Sequence, residues 1–164
     1  MTSTAEEIQV VIFTVNEQPF AFEISQVERI MRYVAPTPLP KAAAFLEGVV
    51  PYADELVPVV DMRKRLSVAP EIGEESRLII IRLDEHAVAV LVDQVLDVHR
   101  VDVASINPPP KMVRGLAAQY IAGMLMRDSD TVVMLNAVKL FNSRERLQLE
   151  EAGNFEPVET QADD

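Results

Sequence analysis

The sequence predicts an all-β fold with short helices, arranged as two small antiparallel barrels packed side by side. Short runs of β-branched and other apolar residues alternate with turn signals along most of the chain. The order of these runs in the first half is repeated in the second. So few residues close a sheet only by bending it sharply, which favours paired barrels over the alternative, a single irregular β-sandwich.

The first half begins with a β-hairpin. Residues 10–15 are rich in β-branched side chains, and after a polar turn at 16–18 the aromatic and aliphatic residues of 19–24 recur at the two-residue period of a strand. Ser25-Gln26-Val27-Glu28 matches the S-x-x-E capping pattern and predicts one helical turn before the chain extends again over 30–34. Three prolines within 35–40 predict an exposed connection, because proline is excluded from helix interiors and central strands.

A second hairpin completes the first half. Its strands are predicted over 45–50 and 56–60, with a polar break at 52–55. Asp61 ends the hairpin, and a basic helical turn is predicted over 62–66.

The second half repeats this order. A hairpin over 78–83 and 87–92 precedes Asp93-Gln94-Val95, which lies 68 residues after Ser25-Gln26-Val27. Three prolines at 108–110 correspond to the earlier proline segment. The other corresponding segments are 45–50 with 120–125, 57–61 with 132–136, and Gly48 with Gly123.

The repeat divides the chain into four predicted segments. These are a disordered N-terminus over 1–7, a first barrel over 8–72, a second barrel with a terminal helix over 73–150, and an acidic disordered tail over 151–164. The polar segment 69–76 links the barrels, and 137–151 mixes apolar and charged residues as a surface helix does.

Composition argues against most catalytic chemistry. The chain has no cysteine and only two histidines, His86 and His99, so thiolate metal sites, disulfides and cysteine nucleophiles are excluded. Its five glycines are too scattered for a phosphate-binding loop, and no G-x-S-x-G motif occurs. A hydrolase using Asp93 or His99 would need a deep pocket that joins them. We therefore expect no enzyme, no cofactor and no metal.

Charge and hydropathy restrict the partners. The net charge is −11, and the last fourteen residues hold five acidic and no basic residues, which leaves −6 for the rest once those five are removed. Nucleic acid would be repelled overall, although a small barrel that binds an oligonucleotide or a small ligand remains the alternative. The longest apolar run, 87–92, is too short to span a membrane, and the polar start of the chain predicts a cytosolic protein. The expected partners are therefore proteins.

The motif order resembles a known family. Residues 45–50 (FLEGVV) followed by 56–63 (LVPVVDMR) resemble the F-I-x-G-V-x … I-V-P-V-V-D-L-R signature of the CheW-like adaptors of bacterial chemotaxis. The resemblance extends from about residue 8 to 150. Other segments that agree in order and spacing are 12–15 with Phe20 and Val27, 90–95, 106–108, 120–123 and 140–143.

The resemblance implies both a fold and a function. The fold is two five-stranded SH3-like barrels side by side with a shared apolar core, and strands can be exchanged at the barrel boundary in this family. The function is a non-enzymatic cytoplasmic scaffold of a two-component signalling pathway. Its implied partners are methyl-accepting chemoreceptors, a CheA-type histidine kinase and other CheW-like proteins.

The resemblance also implies the contact residues. Those of the receptor fall at Val27, Gly48, Ala53 and Asp54, and those of the kinase at Pro110, Met112 and Val113. Two of them have structural alternatives. Val27 is expected to lie partly in the core, and Gly48 to allow a close backbone approach.

One loop departs from the family pattern. Where the family has Asn-Leu-Arg-Gly, this chain has Pro51-Tyr52-Ala53-Asp54, followed by Glu55. Ala53 thus replaces an arginine, and two acidic residues follow it, a change that would oppose an acidic receptor tip. Asp54 tolerates the left-handed turn geometry that glycine would adopt. The change represents either neutral drift in a loop or an altered choice of partner.

Overall fold

The computed structural model describes residues 6–40, 46–62, 72–83, 86–108 and 121–141, together with 145, 148, 149 and 152. Ten strands run through these residues, and the predicted all-β class is confirmed. The strands are β1 (Glu7–Val15), β2 (Gln18–Glu23), β3 (Val27–Arg32), β4 (Leu46–Tyr52), β5 (Glu55–Asp61), β6 (Arg77–Leu83), β7 (His86–Val92), β8 (Gln94–Asp102), β9 (Ile121–Arg127) and β10 (Asp130–Leu135).

The strands form two five-stranded sheets. Sheet I has the order β8-β1-β2-β10-β9, and sheet II has the order β3-β6-β7-β5-β4. Neighbouring strands are antiparallel except for the parallel pairs β2 with β10 and β5 with β7. The chain thus folds as the two small SH3-like units that were predicted.

Each sheet, however, takes strands from both predicted barrels. Sheet I combines β1 and β2 with β8, β9 and β10, and sheet II combines β3, β4 and β5 with β6 and β7. The division of the chain at residue 72 therefore does not separate the two sheets. The hairpins are local and follow the sequence repeat, whereas the parallel pairs, such as Val133 with Phe20, join strands that are distant in the sequence.

The predicted terminal segments also differ from the structure where they are described. Glu7 was assigned to the disordered N-terminus, but it begins β1 and pairs with Asp102. Ala152 was assigned to the tail, but it is helical and buried. The other residues of the tail lie outside the described residues.

A shared apolar core lies between the sheets. It contains Phe13 and Phe22 from sheet I and Ile79, Ile81 and Val90 from sheet II, all fully buried. Each sheet also has an inner core. That of sheet I includes buried side chains of β1, β2, β8, β9 and β10, and that of sheet II includes buried side chains of β4, β5, β6 and β7.

The two cores explain the apolar runs of β6 and β7. Alternate residues of β7 face opposite sides, so that Val88 and Val90 join the shared core while Ala89 and Leu91 join the inner core of sheet II. A strand buried on both faces needs apolar residues at every position. These strands therefore lack the polar alternation of a strand with one solvent-exposed face.

The helical turns are shorter than predicted. The first is a 3-10 turn over Ile24–Gln26, and β3 begins at Val27 rather than at residue 30. The predicted capping box does not form, because Ser25 Oγ donates to Glu23 Oε2 (3.1 Å) and Glu28 already belongs to β3. Of the turn predicted over 62–66, only Met62 lies within the described residues, and it is helical.

The helix predicted over 137–151 is interrupted. Its first part is a 3-10 turn over Ala137–Leu140, capped by Asn136 Oδ1, which accepts from the backbone N–H groups of Val138 (3.0 Å) and Lys139 (3.3 Å). Phe141 then has extended dihedrals, φ −125° and ψ 138°, which end that turn. Further along, the described residues 145, 148, 149 and 152 are helical. No helix within the described part of the chain has the length and apolarity that crossing a membrane requires.

Candidate functional site

The β4–β5 hairpin ends in a two-residue turn. Ala53 and Asp54 form it with φ values of +49° and +64°, and both are exposed. Positive φ at both central residues gives the tight turn whose twist suits a β-hairpin. The expectation that Asp54 tolerates this geometry is confirmed. Ala53 adopts it despite its Cβ atom, at a cost of about 1 kcal/mol.

A polar network joins three strands of sheet II beside this turn. Tyr52 donates its hydroxyl hydrogen to Glu28 Oε2 (2.8 Å). Arg82 donates from Nε (2.8 Å) and from Nη2 (2.6 Å) to Glu28 Oε1. Because β3 and β4 are the two edge strands of sheet II, the bond from Tyr52 to Glu28 ties its edges together.

The network fixes the charges at this end of the sheet. The hydrogen bond from Tyr52, followed by that from Arg82, lowers the pKa of Glu28 below its ordinary value of 4.5. The same bond to Glu28 raises the pKa of Tyr52 above 10.0. At neutral pH, Glu28 is therefore ionised and pairs with Arg82, while Tyr52 is protonated. Asp54 and Glu55 are exposed next to this network and make the hairpin tip acidic.

Gly48 allows a close crossing of two chain segments. Its φ is +140°, and a Cβ atom built on it would overlap the backbone carbonyl oxygen of Thr37. Thr37 and Val49 exchange two backbone hydrogen bonds, Thr37 N to Val49 O (2.8 Å) and Val49 N to Thr37 O (2.9 Å). The structural alternative for Gly48 is thus confirmed, and its role in receptor contact stays a prediction.

The structure brings three of the four predicted receptor-contact residues to one end of sheet II. The hydrogen bond between Tyr52 and Glu28 brings their chain neighbours together. Val27 directly precedes Glu28 and Ala53 directly follows Tyr52, so Val27 and Ala53 both lie at the hairpin end of the sheet. Val27 is half-buried and packs against the shared core, as expected. Gly48 lies four residues before Tyr52 on β4, about 13 Å along the strand.

The predicted kinase contacts Pro110, Met112 and Val113 lie outside the described residues. In sequence they fall between β8 and β9, and both of these strands belong to sheet I.

Sheet I has an end that corresponds to the hairpin end of sheet II. Gly123 lies beneath a crossing in which Asn107 N donates to Met124 O (2.8 Å) and Met124 N donates to Asn107 O (2.7 Å). Four residues after Gly123, Arg127 Nη2 donates to Asp97 Oδ2 (2.9 Å), which joins the edge strands β9 and β8. The hydrogen bond to the carboxylate of Asp97 raises the pKa of Arg127 above its ordinary value.

Sequence reasoning missed the network residues Glu28, Tyr52 and Arg82. Glu28 was assigned to a helix cap, and Arg82 lies 54 residues further along the chain, so no local pattern links the two. The equivalence of Gly48 and Gly123 was the available signal, because it places Tyr52 and Arg127 at matching positions.

The residues considered for catalysis do not line a common pocket within the described part of the chain. Asp93 Oδ2 accepts from the backbone N–H of Asn16 (2.6 Å) and so supports the β1–β2 turn. His99 lies within β8 and pairs with Val10. An open groove of about 510 Å³ is lined by residues 32–33 and 73–77, and neither Asp93 nor His99 belongs to that lining. Within the described ranges, no group of three potential metal ligands was found.

Comparison with known proteins places the fold in context. Residues 9–145 match the model of a family described as CheW-like domain. The chain is 26% identical over 154 residues to a chemotaxis protein CheW of Treponema pallidum, with 91% of each chain covered. It is also 33% identical over 107 residues to a chemotaxis protein CheW of Bacillus subtilis, which covers 65% of this chain and 69% of that one.

A solved structure has the same architecture. It is the scaffolding protein TtCheW from Thermoanaerobacter tengcongensis, with a TM-score of 0.77 and 25% sequence identity. The match covers 84% of this chain and 94% of that chain.

Proposed function

We propose that this chain, which belongs to the CheW-like domain family, couples chemoreceptors to a CheA-type histidine kinase in a bacterial chemosensory array. Proteins of this family are non-enzymatic chemotaxis adaptors, so the function is protein binding rather than catalysis. The proposal places the chain in the cytoplasm, where such an array holds its kinase. It also admits other CheW-like proteins as partners.

The observation that carries this proposal is the shared core between the two sheets. A coupling protein has to hold two partners in a fixed relation, which needs two surfaces on one stiff body. Phe13 and Phe22 of sheet I pack in the same buried cluster as Ile79, Ile81 and Val90 of sheet II. Close packing of this kind resists independent movement of the two sheets.

We assign the receptor contact to sheet II and the kinase contact to the segment between β8 and β9. The receptor residues are Val27, Gly48, Ala53 and Asp54, and the kinase residues are Pro110, Met112 and Val113.

The charge of the hairpin tip bears on the receptor contact. Ala53 supplies no positive charge, Asp54 and Glu55 are negative, and the nearby Arg82 is paired with Glu28. An acidic receptor tip would therefore meet repulsion at this point, whereas a partner with basic residues would be attracted.

The double variant Ala53→Arg with Asp54→Gly tests the receptor contact. It restores a positive charge and a glycine in a turn that already has positive φ at both positions. We expect it to strengthen binding to an acidic receptor signalling fragment by about two- to fivefold, as for an exposed ion pair. Isothermal titration calorimetry at low salt measures the effect.

Glu17→Arg provides the matched control. Glu17 lies in the β1–β2 turn of sheet I with φ +67°, and the substitution also changes the charge by two units on a left-handed hairpin turn. If the control strengthens binding as much as the double variant, the effect is one of net charge and the assigned contact is wrong. A single-stranded oligonucleotide serves as a further ligand, and its salt-dependent binding would favour the small-barrel alternative.

A further inference from the structure

Two arginines face each other across sheet II, away from the hairpin tip. Arg32 ends β3, Arg77 begins β6, and the two are directly opposite in the antiparallel register of these strands. Both line the open groove of about 510 Å³, together with Tyr33 and the turn that contains Gly73 and Ser76. Two like charges directly opposite each other in a sheet repel, so this pair is unfavourable as it stands.

Arg77 is held in place by the turn that precedes it. Its Nη1 donates to the backbone carbonyl oxygens of Glu74 (3.0 Å) and Ser76 (2.9 Å). The turn is itself closed by two bonds, from Gly73 N to Ser76 Oγ (2.9 Å) and from Ser76 N to Gly73 O (3.1 Å). A guanidinium has five N–H donors, so Nε and Nη2 of Arg77 keep donors that no described group accepts.

Neither arginine of the pair forms an ion pair within the described part of the chain. Arg82, Arg100 and Arg127 each lie within 4.0 Å of a carboxylate oxygen, whereas Arg32 and Arg77 have no such partner among the described residues. Glu74 and Glu75 line the same groove. Glu74 meets Arg77 through its backbone carbonyl, not through its side chain.

Part of the groove is lined by residues that are buried or packed against the core. Tyr33 is partly buried and packs against the inner core of sheet II, and Ser76 is 2% exposed. Arg77 is therefore fixed by hydrogen bonds to the backbone, and Arg32 is exposed at the end of a strand, with both lining the same open groove. Two guanidinium groups in this arrangement suit an oxyanion that accepts from both.

We propose that this groove binds an oxyanion, a phosphoryl or carboxylate group, between Arg32 and Arg77. The anion relieves the repulsion between the two arginines and occupies the donors of Arg77 that the turn leaves open. The site lies on sheet II but does not include Val27, Gly48, Ala53 or Asp54, so it does not depend on the proposed receptor contact.

Titration of the ¹⁵N-labelled full chain with inorganic phosphate tests the proposal. Acetate is titrated in a parallel arm, and sodium chloride holds the ionic strength constant in both. We expect saturable shifts of the backbone amides of residues 32–33 and 73–77. Saturation with phosphate alone identifies a phosphoryl site, and saturation with both anions identifies a general oxyanion site.

Two variants and a control localise the binding. Arg32→Gln removes a side chain that makes no ion pair in the described structure, so the fold is expected to persist, and the phosphate affinity should fall by about tenfold. Arg77→Gln should cause a similar or greater loss. Arg29→Gln is the matched control, because Arg29 is exposed on the same strand but does not line the groove. Shifts that never saturate, or an unchanged affinity in Arg32→Gln, would overturn the proposal.

Discussion

The two sheets tie their ends together in different ways. In sheet I, Arg127 forms an ion pair with Asp97, whereas at the matching position of sheet II the neutral Tyr52 donates to Glu28. Arg82 supplies the positive charge to Glu28 from the neighbouring strand instead. The sequence repeat therefore preserves the place of the contact between edge strands but not its chemistry.

The glycine crossings beneath these contacts have changed less. Gly48 and Gly123 each lie beneath a segment that exchanges two backbone hydrogen bonds with the residue after the glycine. Such a crossing requires two backbones to approach closely, and this constraint acts on geometry rather than on charge. The fold therefore constrains the backbone crossings, whereas the polar contacts between edge strands differ in chemistry between the two sheets.

The largest expected effect is a difference in stability between variants of the two glycine crossings. Gly48→Ala should lower the free energy of unfolding by about 3 kcal/mol or more, because the added Cβ meets a backbone oxygen at a φ of +140°. Gly123→Ala should cost about 1–2 kcal/mol, because the added Cβ overlaps a side-chain methyl, Cγ2 of Ile106, whereas the nearest backbone atom, Asn107 O, lies at 3.2 Å. Urea denaturation measures both.

Gly73→Ala is the control for this pair, since a Cβ atom there meets nothing within 4 Å. It should leave the unfolding free energy nearly unchanged. Equal losses for Gly48→Ala and Gly73→Ala would contradict the account of the crossing.

A smaller effect, below about 1 kcal/mol, concerns the polar contact of sheet II. Because the folded state lowers the pKa of Glu28, its stabilisation is present above the ordinary value of 4.5 and is lost as the pH falls through the lowered value. The stability difference between the wild type and Glu28→Gln should therefore be largest near neutral pH and shrink below about 4.5. Thermal denaturation across this range at low salt measures it, and a difference independent of pH would show that the network is not ionic.

The hairpins could be predicted from sequence because their signals are local. The structure places β6 at Arg77–Leu83 and β7 at His86–Val92, within one residue of the predicted runs. β8, in contrast, was not predicted as a strand. A bulge opposite Ile12 and Phe13 leaves Leu96 as an extra residue, which disrupts the alternation that marks a strand.

Which strands form each sheet and which residues form the polar network could not be predicted, because both depend on residues that are distant in the sequence. Each sheet is completed by a parallel pair of strands, and no local pattern encodes which strands meet. Glu28 fits a helix-capping pattern in sequence, but its partners Tyr52 and Arg82 lie on other strands. Ala53 and Asp54, in contrast, were singled out because the loop departs there from the family pattern, and Asp54 has the left-handed geometry expected of it.

Co-sedimentation of three components tests the central claim most directly. Receptor signalling fragments displayed on vesicles are mixed with a CheA-type kinase, with and without this chain, and the pelleted kinase is measured. If the chain couples the two, the kinase should sediment with the receptor vesicles substantially more in its presence, in proportion to the amount added. If the pelleted kinase is the same with and without the chain, the coupling function is contradicted.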